Sequence, residues 1–469
     1  MGDPKGFLKI NRKETGYRPI QERKNDYNEV EKKLTEAERK DQASRCMDCG
    51  VPFCHWACPL GNNIPEWQDK IFKGDWKEAY LFLQETNSFP EITGRVCPAL
   101  CEESCVLSLE NEPVTIRQNE LDIIEKAFSL GLVQPCPPKK RTKKKIAIIG
   151  GGPAGLTCAD FLNQQGHLVT VFEESDALGG YLRYGIPDFK LNKDVIDRRL
   201  DLLLKEGILF KTKKRVGKDI LVSEIKKEFD VLCLTIGSRQ PRDLKVTGRD
   251  LKGIYFAMEY LEQQNRMVRK EKISKESLIN AFGKNVVVIG GGDTGSDCVG
   301  SANRQGAKKV TQLELLPKPS LERAEETPWP LWPKKLKTSS SHQEGCLRKW
   351  SVATKEFKGQ KGEVQKLVVQ EVDWKDSKMT EKKGKKIEIK ADLVFLALGF
   401  TSVVKDRLTS DLKIKFNERG NIRVDKDYMT SVKGVFAAGD ATRGASLVVW
   451  AIKEGRDMGQ AVNRYLNEL

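Results

Sequence analysis

No run of apolar residues in this chain is long enough to cross a bilayer, which excludes a transmembrane helix and leaves no membrane partner to expect. The start, Met1 to Arg12, carries charge but no apolar h-region, so no secretory signal is expected there. Gly6 stands where a myristoylation signal needs Ser or Thr. The expected location is cytoplasmic. Clustered basic residues are also missing: the formal charge is +15, yet Lys and Arg are scattered and mostly sit near Asp or Glu, so no nucleic-acid-binding face is expected. The densest basic run, Lys139 to Lys145, follows Pro135, Pro137 and Pro138 and reads as a linker.

Cysteine is present and unevenly placed. Of 12 cysteines, seven fall between Cys46 and Cys105, while Cys136, Cys158, Cys233, Cys298 and Cys346 are dispersed. In a cytoplasmic chain such a cluster points to metal or redox chemistry and away from disulfides. The 469 residues exceed what one hydrophobic core organises, so two or three domains are expected, and a composition of 39% hydrophobic and 31% charged residues is that of a globular protein.

The first 145 residues read as helical. The pattern from Asn28 to Arg45 predicts a helix with Thr35 and Glu38 spaced as a capping box, a second helix starts at Asp75 as N-cap, and a third runs from Glu120 to Leu130. At Lys145 the texture changes. Ile146 to Ile149 is a buried-strand run, followed by Gly150, Gly151, Gly152, Pro153, Ala154, Gly155, a helix, and a strand Leu168 to Phe172 that ends at Glu173. The same grammar returns at Val286 to Ile289, with Gly290, Gly291, Gly292, Asp293, Thr294 and Gly295, a helix, and a strand from Val310 that ends near Glu314. Each half also has a matching apolar strand, FDVLCLTIGS from Phe229 and ADLVFLALGF from Ala391. A further strand, GVFAAGD, places Gly439 and Asp440 at its tip, ahead of a last helix from Ser446 to Leu466. The expected fold class is therefore α/β, two nested doubly wound dinucleotide-binding domains preceded by a helical domain. The expected boundaries are 1–145 for the helical domain, 146–280 and 401–469 for the first dinucleotide domain, and 281–400 for the second, inserted one.

Gly150 suits the tight turn, Gly152 lets backbone approach a pyrophosphate, and Gly155 permits close packing of helix on strand. The pyrophosphate then sits on a helix N-terminus, whose free N–H groups and positive dipole end attract it, and Glu173 reaches the adenosine ribose. Two such sites in one chain point to FAD at one and NADH or NADPH at the other. Asp440 either reaches the flavin's ribityl or pyrophosphate region or caps a helix. At the second loop, Glu314 favours the free ribose hydroxyls of NADH, whereas Lys318 and Arg323 could pair with the phosphate of NADPH. Cys46, Cys49, Cys54 and Cys58 are spaced C-x2-C-x4-C-x3-C, and Cys97, Cys101 and Cys105 follow, with Pro59 and Pro98 after their cysteines. This spacing suits iron–sulfur ligation; a four-cysteine zinc site is the alternative. Seven cysteines are one short of two four-cysteine cubes, so two clusters would need one non-cysteine ligand.

Five segments carry a resemblance over nearly the whole chain: SRCMDCGVPFCHWACPLGNNIPEW from Ser44, GRVCPALCEESCV from Gly94, GGYLRYGIPDFKL from Gly179, GGGDTGSDCVGSANRQGA from Gly290 and AAGDATRGASLVVWAI from Ala437. They, and above all SSSHQEGCLRKWSV from Ser339, make the chain resemble the glutamate synthase small-subunit family. The resemblance implies FAD at the first loop with Gly180, Gly439 and Asp440 near it, and two 4Fe-4S clusters in a module shared with dihydropyrimidine dehydrogenase. By the same analogy Cys46, Cys49, Cys54 and Cys105 hold one cluster, and Cys58, Cys97, Cys101 and Glu120 the other. It also implies a large-subunit partner with FMN and a 3Fe-4S cluster, which makes L-glutamate from L-glutamine and 2-oxoglutarate. No catalytic side chain is expected, because hydride transfer to flavin needs positioning and no acid or base. With Gly2 second, the amino-terminal cysteine of that family's glutaminase is not expected here. Three other readings share parts of this pattern: an NAD(P)H:ferredoxin oxidoreductase subunit, a pyrimidine reductase, for whose substrate barrel no residues remain, and a zinc-stapled assembly scaffold.

Overall fold

The computed structural model describes residues 2–110, 112–384 and 386–468. Two five-stranded parallel sheets organise the chain. In the first, the order is Val435–Ala437, Val231–Leu234, Lys145–Ile149, Leu168–Phe172 and Leu209–Lys211. The second repeats it with Ile254–Phe256, Leu393–Leu396, Asn285–Ile289, Lys309–Leu313 and Leu347–Lys349. The central strands are buried on both faces because helices cover both sides, which is why they read as continuous apolar runs. The carboxyl-terminal strand Val435–Ala437 pairs with Val231–Leu234, so the last part of the chain returns to the first sheet.

The chain crosses between the two units twice. The crossing segments Gln240–Pro241 and Phe400–Ser402 pair antiparallel with each other. The strand Ile254–Phe256 and helix Ala257–Val268 precede the expected boundary at 280/281, yet the strand pairs with Leu393–Leu396 of the second sheet. The glycine loop marks the middle strand of this unit, and an edge strand enters earlier in the chain. A second departure is a four-stranded antiparallel sheet, Val352–Gln360, Glu363–Lys375, Lys378–Glu381 and Ile387–Lys390, which follows the parallel strands of the inserted unit.

The amino-terminal module is helical. Its core gathers Trp67, Ile71, Leu83 and Ile123 from three helices, Ile64–Lys73, Trp76–Thr86 and Ile116–Ser129. The capping box expected at Thr35 forms, with Glu38 N–H donating to Thr35 Oγ1 at 3.3 Å and Thr35 N–H to Glu38 at 2.8 Å. It starts the helix Glu36–Ser44, so the helix expected from Asn28 is shorter. Residues before the box run extended instead, where Val30 N–H donates to the Phe189 carbonyl at 3.0 Å: a tertiary bond to another domain replaces local helix. The third helix starts at Ile116, four residues before its expected start at Glu120, and the last spans Val448–Asn467. Leu60, Phe89 and Ile92 of the helical module join the core of the first dinucleotide unit, which fixes the two against each other. Among the described residues no helix is long and apolar enough to cross a membrane.

Candidate functional site

The two glycine loops have the same construction. Each follows the middle strand of its sheet, and the first glycine's N–H donates to the end of the neighbouring strand, Gly150 to Phe172 O and Gly290 to Leu313 O, both at 2.8 Å. Gly150 and Gly290 have φ of +109° and +122°, which a side chain would resist. A Cβ on Gly155 would stand 2.0 Å from the Gly150 carbonyl oxygen, and one on Gly295 2.3 Å from that of Gly290. At Gly152 and Gly292 a Cβ would meet nothing within 4 Å. The middle glycines therefore face open space at the N-termini of the helices Pro153–Gln164 and Asp293–Arg304. Two of the three glycine positions serve the protein's own packing, and the third leaves room that a pyrophosphate fits.

The acids follow the duplication. Glu173 is buried and accepts from Gly151 N–H and Ser175 N–H, each at 2.8 Å. Glu314 accepts from Gly291 N–H at 2.7 Å and Leu316 N–H at 3.0 Å. Each carboxylate is thus pinned beneath its loop with lone pairs left over for a ribose hydroxyl.

A single cleft of about 1160 Å³ joins the two loops, lined by Gly150, Gly152, Pro153, Ala154, Glu173 and Gly180 on one side and by Asp293 and Thr294 on the other. Gly155, Gly290, Gly292, Gly295, Glu314 and Gly439 stand behind this wall or beyond it. Gly180 sits on the first loop, where a Cβ would come 3.1 Å from Gly152 Cα. Gly439, with φ +72°, packs against Ala154 of the loop helix. Asp440 lines the cleft and accepts from the Ser446 hydroxyl at 3.0 Å; burial pushes its carboxyl up to about 6. Glu454, which sequence reasoning missed, holds this corner by accepting from Gly439 N–H at 3.0 Å and Arg443 Nε at 2.6 Å. Its signal was available: it is an acid on the apolar stripe of the last helix, beside Ile452 and Gly455. Tyr181 and Phe400, also missed, stack at 5.3 Å across the junction of the two units and line the cleft.

The cysteines fall into two groups. Cys46, Cys49, Cys54 and Cys105 wall one small cavity. Cys58, Cys97 and Cys101 each lie close enough to Glu120 to feel its charge. Glu120 is buried, not a solvated helix start: it accepts from Thr93 Oγ1 and, at 3.3 and 3.4 Å, from the amides of Asn87 and Asn62. Burial pushes its carboxyl up to about 7, the Cys58 thiol to about 11 and the Cys46 and Cys97 thiols to about 12. Thiols so placed stay protonated in the absence of a metal, and binding of a metal as thiolate would release their protons to solvent. Backbone N–H groups turn towards the sulfurs: Asp48 towards Cys46, Ala99 towards Cys97, and Leu60, Gly61 and Asn62 towards Cys58. Asp48 and Ala99 adopt φ of +51° and +63° to do so, a nest-like turn that favours anionic sulfur. Among the described residues no three His, Cys, Asp or Glu side chains converge as a single metal ion requires. The four cysteines of the first group wall one shared space, and a 4Fe-4S cube takes one thiolate on each of its four irons.

Residues 144–455 match the family model of pyridine nucleotide-disulphide oxidoreductases, and residues 23–131 that of dihydropyrimidine dehydrogenase domain II, 4Fe-4S cluster. A relative named glutamate synthase [NADPH] small chain, from Mycobacterium tuberculosis, is 48% identical over 470 residues, covering 99% of this chain and 96% of the relative. The chain belongs to the glutamate synthase small-chain family. The glutamate synthase [NADH] of Schizosaccharomyces pombe is 44% identical across 98% of this small chain, which matches 22% of that longer protein. FprA of Mycobacterium tuberculosis in complex with NADPH shares the fold, with a TM-score of 0.56 at 16% identity over 70% of this chain and 85% of that one. The second cysteine group adjoins the loops: Val96 and Pro98, either side of Cys97, and Leu121, beside Glu120, line the same cleft, while the first group walls its own separate cavity.

Proposed function

We propose that this chain takes hydride from NADH or NADPH at an FAD held by the first loop, and passes electrons through two 4Fe-4S clusters to a large subunit that forms L-glutamate from L-glutamine and 2-oxoglutarate. The observation that carries the reading is the shared cleft, with both dinucleotide loops and the flanks of Cys97 and Glu120 in its walls. The order of groups follows: cleft, then the Cys58, Cys97, Cys101 and Glu120 set, then the Cys46, Cys49, Cys54 and Cys105 set. Beside the last set, Val51 and Trp56 are 73% and 65% exposed, which suits a contact surface where electrons leave. The Schizosaccharomyces pombe relative, in which a matching stretch is part of one longer glutamate synthase chain, supports a large partner for the separate small chain.

Bound flavin supplies a two-electron acceptor that can give electrons up singly, which suits one-electron clusters. The chain's own residues supply binding and orientation. Gly152 and Gly292 would leave room for the pyrophosphates, Glu173 and Glu314 would accept from the ribose hydroxyls, and Asp440, steadied by Ser446, would hold the ribityl end. Leu447 and Val448, at the start of the last helix, line the cleft, so free N–H groups there favour negative charge on a flavin ring. Because Glu314 is pinned as Glu173 is, and a flavin's adenosine ribose carries no 2′-phosphate, NADH is the better fit at the second loop. The domain boundaries in this reading fall at the two crossings, giving 1–145, 146–241 with 401–469, and 242–400; Leu244 and Val246 already pack in the inserted unit's core.

The reading is tested by purifying the chain anaerobically, recording its visible spectrum, and measuring iron, flavin and NAD(P)H oxidation with an artificial acceptor. Flavin and iron together with NAD(P)H oxidation are expected. A colourless protein lacking both would refute the proposal, and zinc in their place would support the scaffold reading.

A further inference from the structure

The segment from Ser339 to Gly345 has no part in the loops or the cysteine groups, yet it forms cleft wall. Ser339 and Ser340 line the cleft together with Asp293 and Thr294, at the start of the second loop's helix. The segment is clamped on that helix: a Cβ at Gly300 would stand 2.5 Å from Ser341 Oγ, and Glu344 is paired with Arg304 and, at 2.8 Å, with the buried Arg23. A chain of hydrogen bonds then runs back to the loop. Gln312, in the strand Lys309–Leu313, donates from Nε2 to the Gly290 carbonyl at 2.9 Å. Its Oε1 therefore faces His342 Nε2, at 2.8 Å. An amide oxygen needs a donor, so the imidazole proton sits on Nε2 and Nδ1 is the acceptor. Nδ1 lies 3.2 Å from Ser339 N and 3.1 Å from Ser339 Oγ. Ser339 Oγ is in turn 2.6 Å from Ser296 Oγ on the loop helix. Burial keeps the imidazole neutral by lowering its pKa to about 4, so this arrangement persists at physiological pH.

We infer that His342 is a positioning residue for the reduced pyridine dinucleotide: through Gln312 and Ser339 it holds the Gly290 turn and the Ser339–Ser340 stretch of cleft wall in one register, so that the space they border fits the ligand. The inference rests on the second loop being the pyridine dinucleotide site. The ring itself does not line the cleft; it acts through its two neighbours.

The test uses the full chain with its cofactors. His342→Phe keeps a ring and removes both hydrogen bonds. Its KM for NADH and its Kd for ADP-ribose, read by titration calorimetry, should each rise about tenfold, the worth of one well-placed hydrogen bond. The value of kcat with an artificial acceptor should change far less, and flavin content should stay at the wild-type level. His342→Gln, which keeps a donor towards Gln312, should recover part of the loss. Gln312→Leu should reproduce it, and the double variant should be no worse than either single one, as expected for groups acting in series. Unchanged KM and Kd in His342→Phe, or a fall in kcat at constant KM, overturns the inference. Should His342→Phe fail to fold, Ser339→Ala must show the same rise, and unchanged binding there overturns it equally. A wild-type chain that binds neither ADP-ribose nor NAD(P)H would refute the dinucleotide reading itself.

Discussion

At the scale of single residues, the acids do the discriminating. Glu314 is held by two backbone N–H groups, so a 2′-phosphate entering beside it would meet a fixed negative charge. The wild type should oxidise NADH with higher kcat/KM than NADPH, and Glu314→Ala should narrow that ratio about tenfold, the size of one lost like-charge repulsion. Equal use of both nucleotides by the wild type would contradict this assignment. Asp440 allows a pH test. Its carboxyl is raised to about 6 by burial, so the folded chain binds the proton more tightly than the unfolded one, and stability present below about pH 4 is lost as the pH rises through about 6. Asp440→Asn, neutral throughout, should melt with the wild-type apoprotein at pH 4 and about 1–3 °C above it at pH 7. Glu173 and Glu314 were legible because the strand, loop, helix, strand order sets their distance from the glycines within one continuous segment. His342 and Gln312 lie 30 residues apart and meet only because the strand Leu347–Lys349 closes the second sheet beside Lys309–Leu313, a pairing no local pattern announces.

At the scale of elements, the three glycines of a loop have separable tasks. Gly152→Ala should leave the apoprotein's Tm nearly unchanged while weakening FAD retention during gel filtration, because its Cβ enters the open space kept for the ligand. Gly155→Ala should lower the apoprotein's Tm itself, since its Cβ collides with the Gly150 carbonyl. If both variants lose stability alike, the division of labour between packing and ligand space is wrong. The buried strands and capped helices were readable because burial on both faces and a side-chain cap leave clear local marks. The antiparallel strands from Val352 to Lys390 were not: their outer positions carry Lys, Glu and Gln as a solvent-facing sheet does, and the same residues read as loop. The extended run before Thr35 was hidden for a different reason, since Val30 is fixed by a bond to Phe189, far along the chain.

At the scale of the molecule, one dinucleotide unit is inserted in another, and a helical cysteine module is welded to the first of them through Leu60, Phe89 and Ile92. This places the Cys97 and Glu120 set against the cleft and the Cys46 set beyond it. Cys46→Ser should therefore leave reduction of the flavin by NAD(P)H intact while abolishing delivery to a partner. A variant that still folds and loses flavin reduction to the same extent would reverse the proposed electron order. The measurement that tests the account most directly joins the purified chain with its large subunit, NADH or NADPH, L-glutamine and 2-oxoglutarate, and follows nucleotide oxidation together with L-glutamate. The account predicts oxidation that depends on both the large subunit and 2-oxoglutarate, with one dinucleotide consumed for each new carbon skeleton aminated. A chain that reduces ferredoxin readily but shows no such dependence would contradict it.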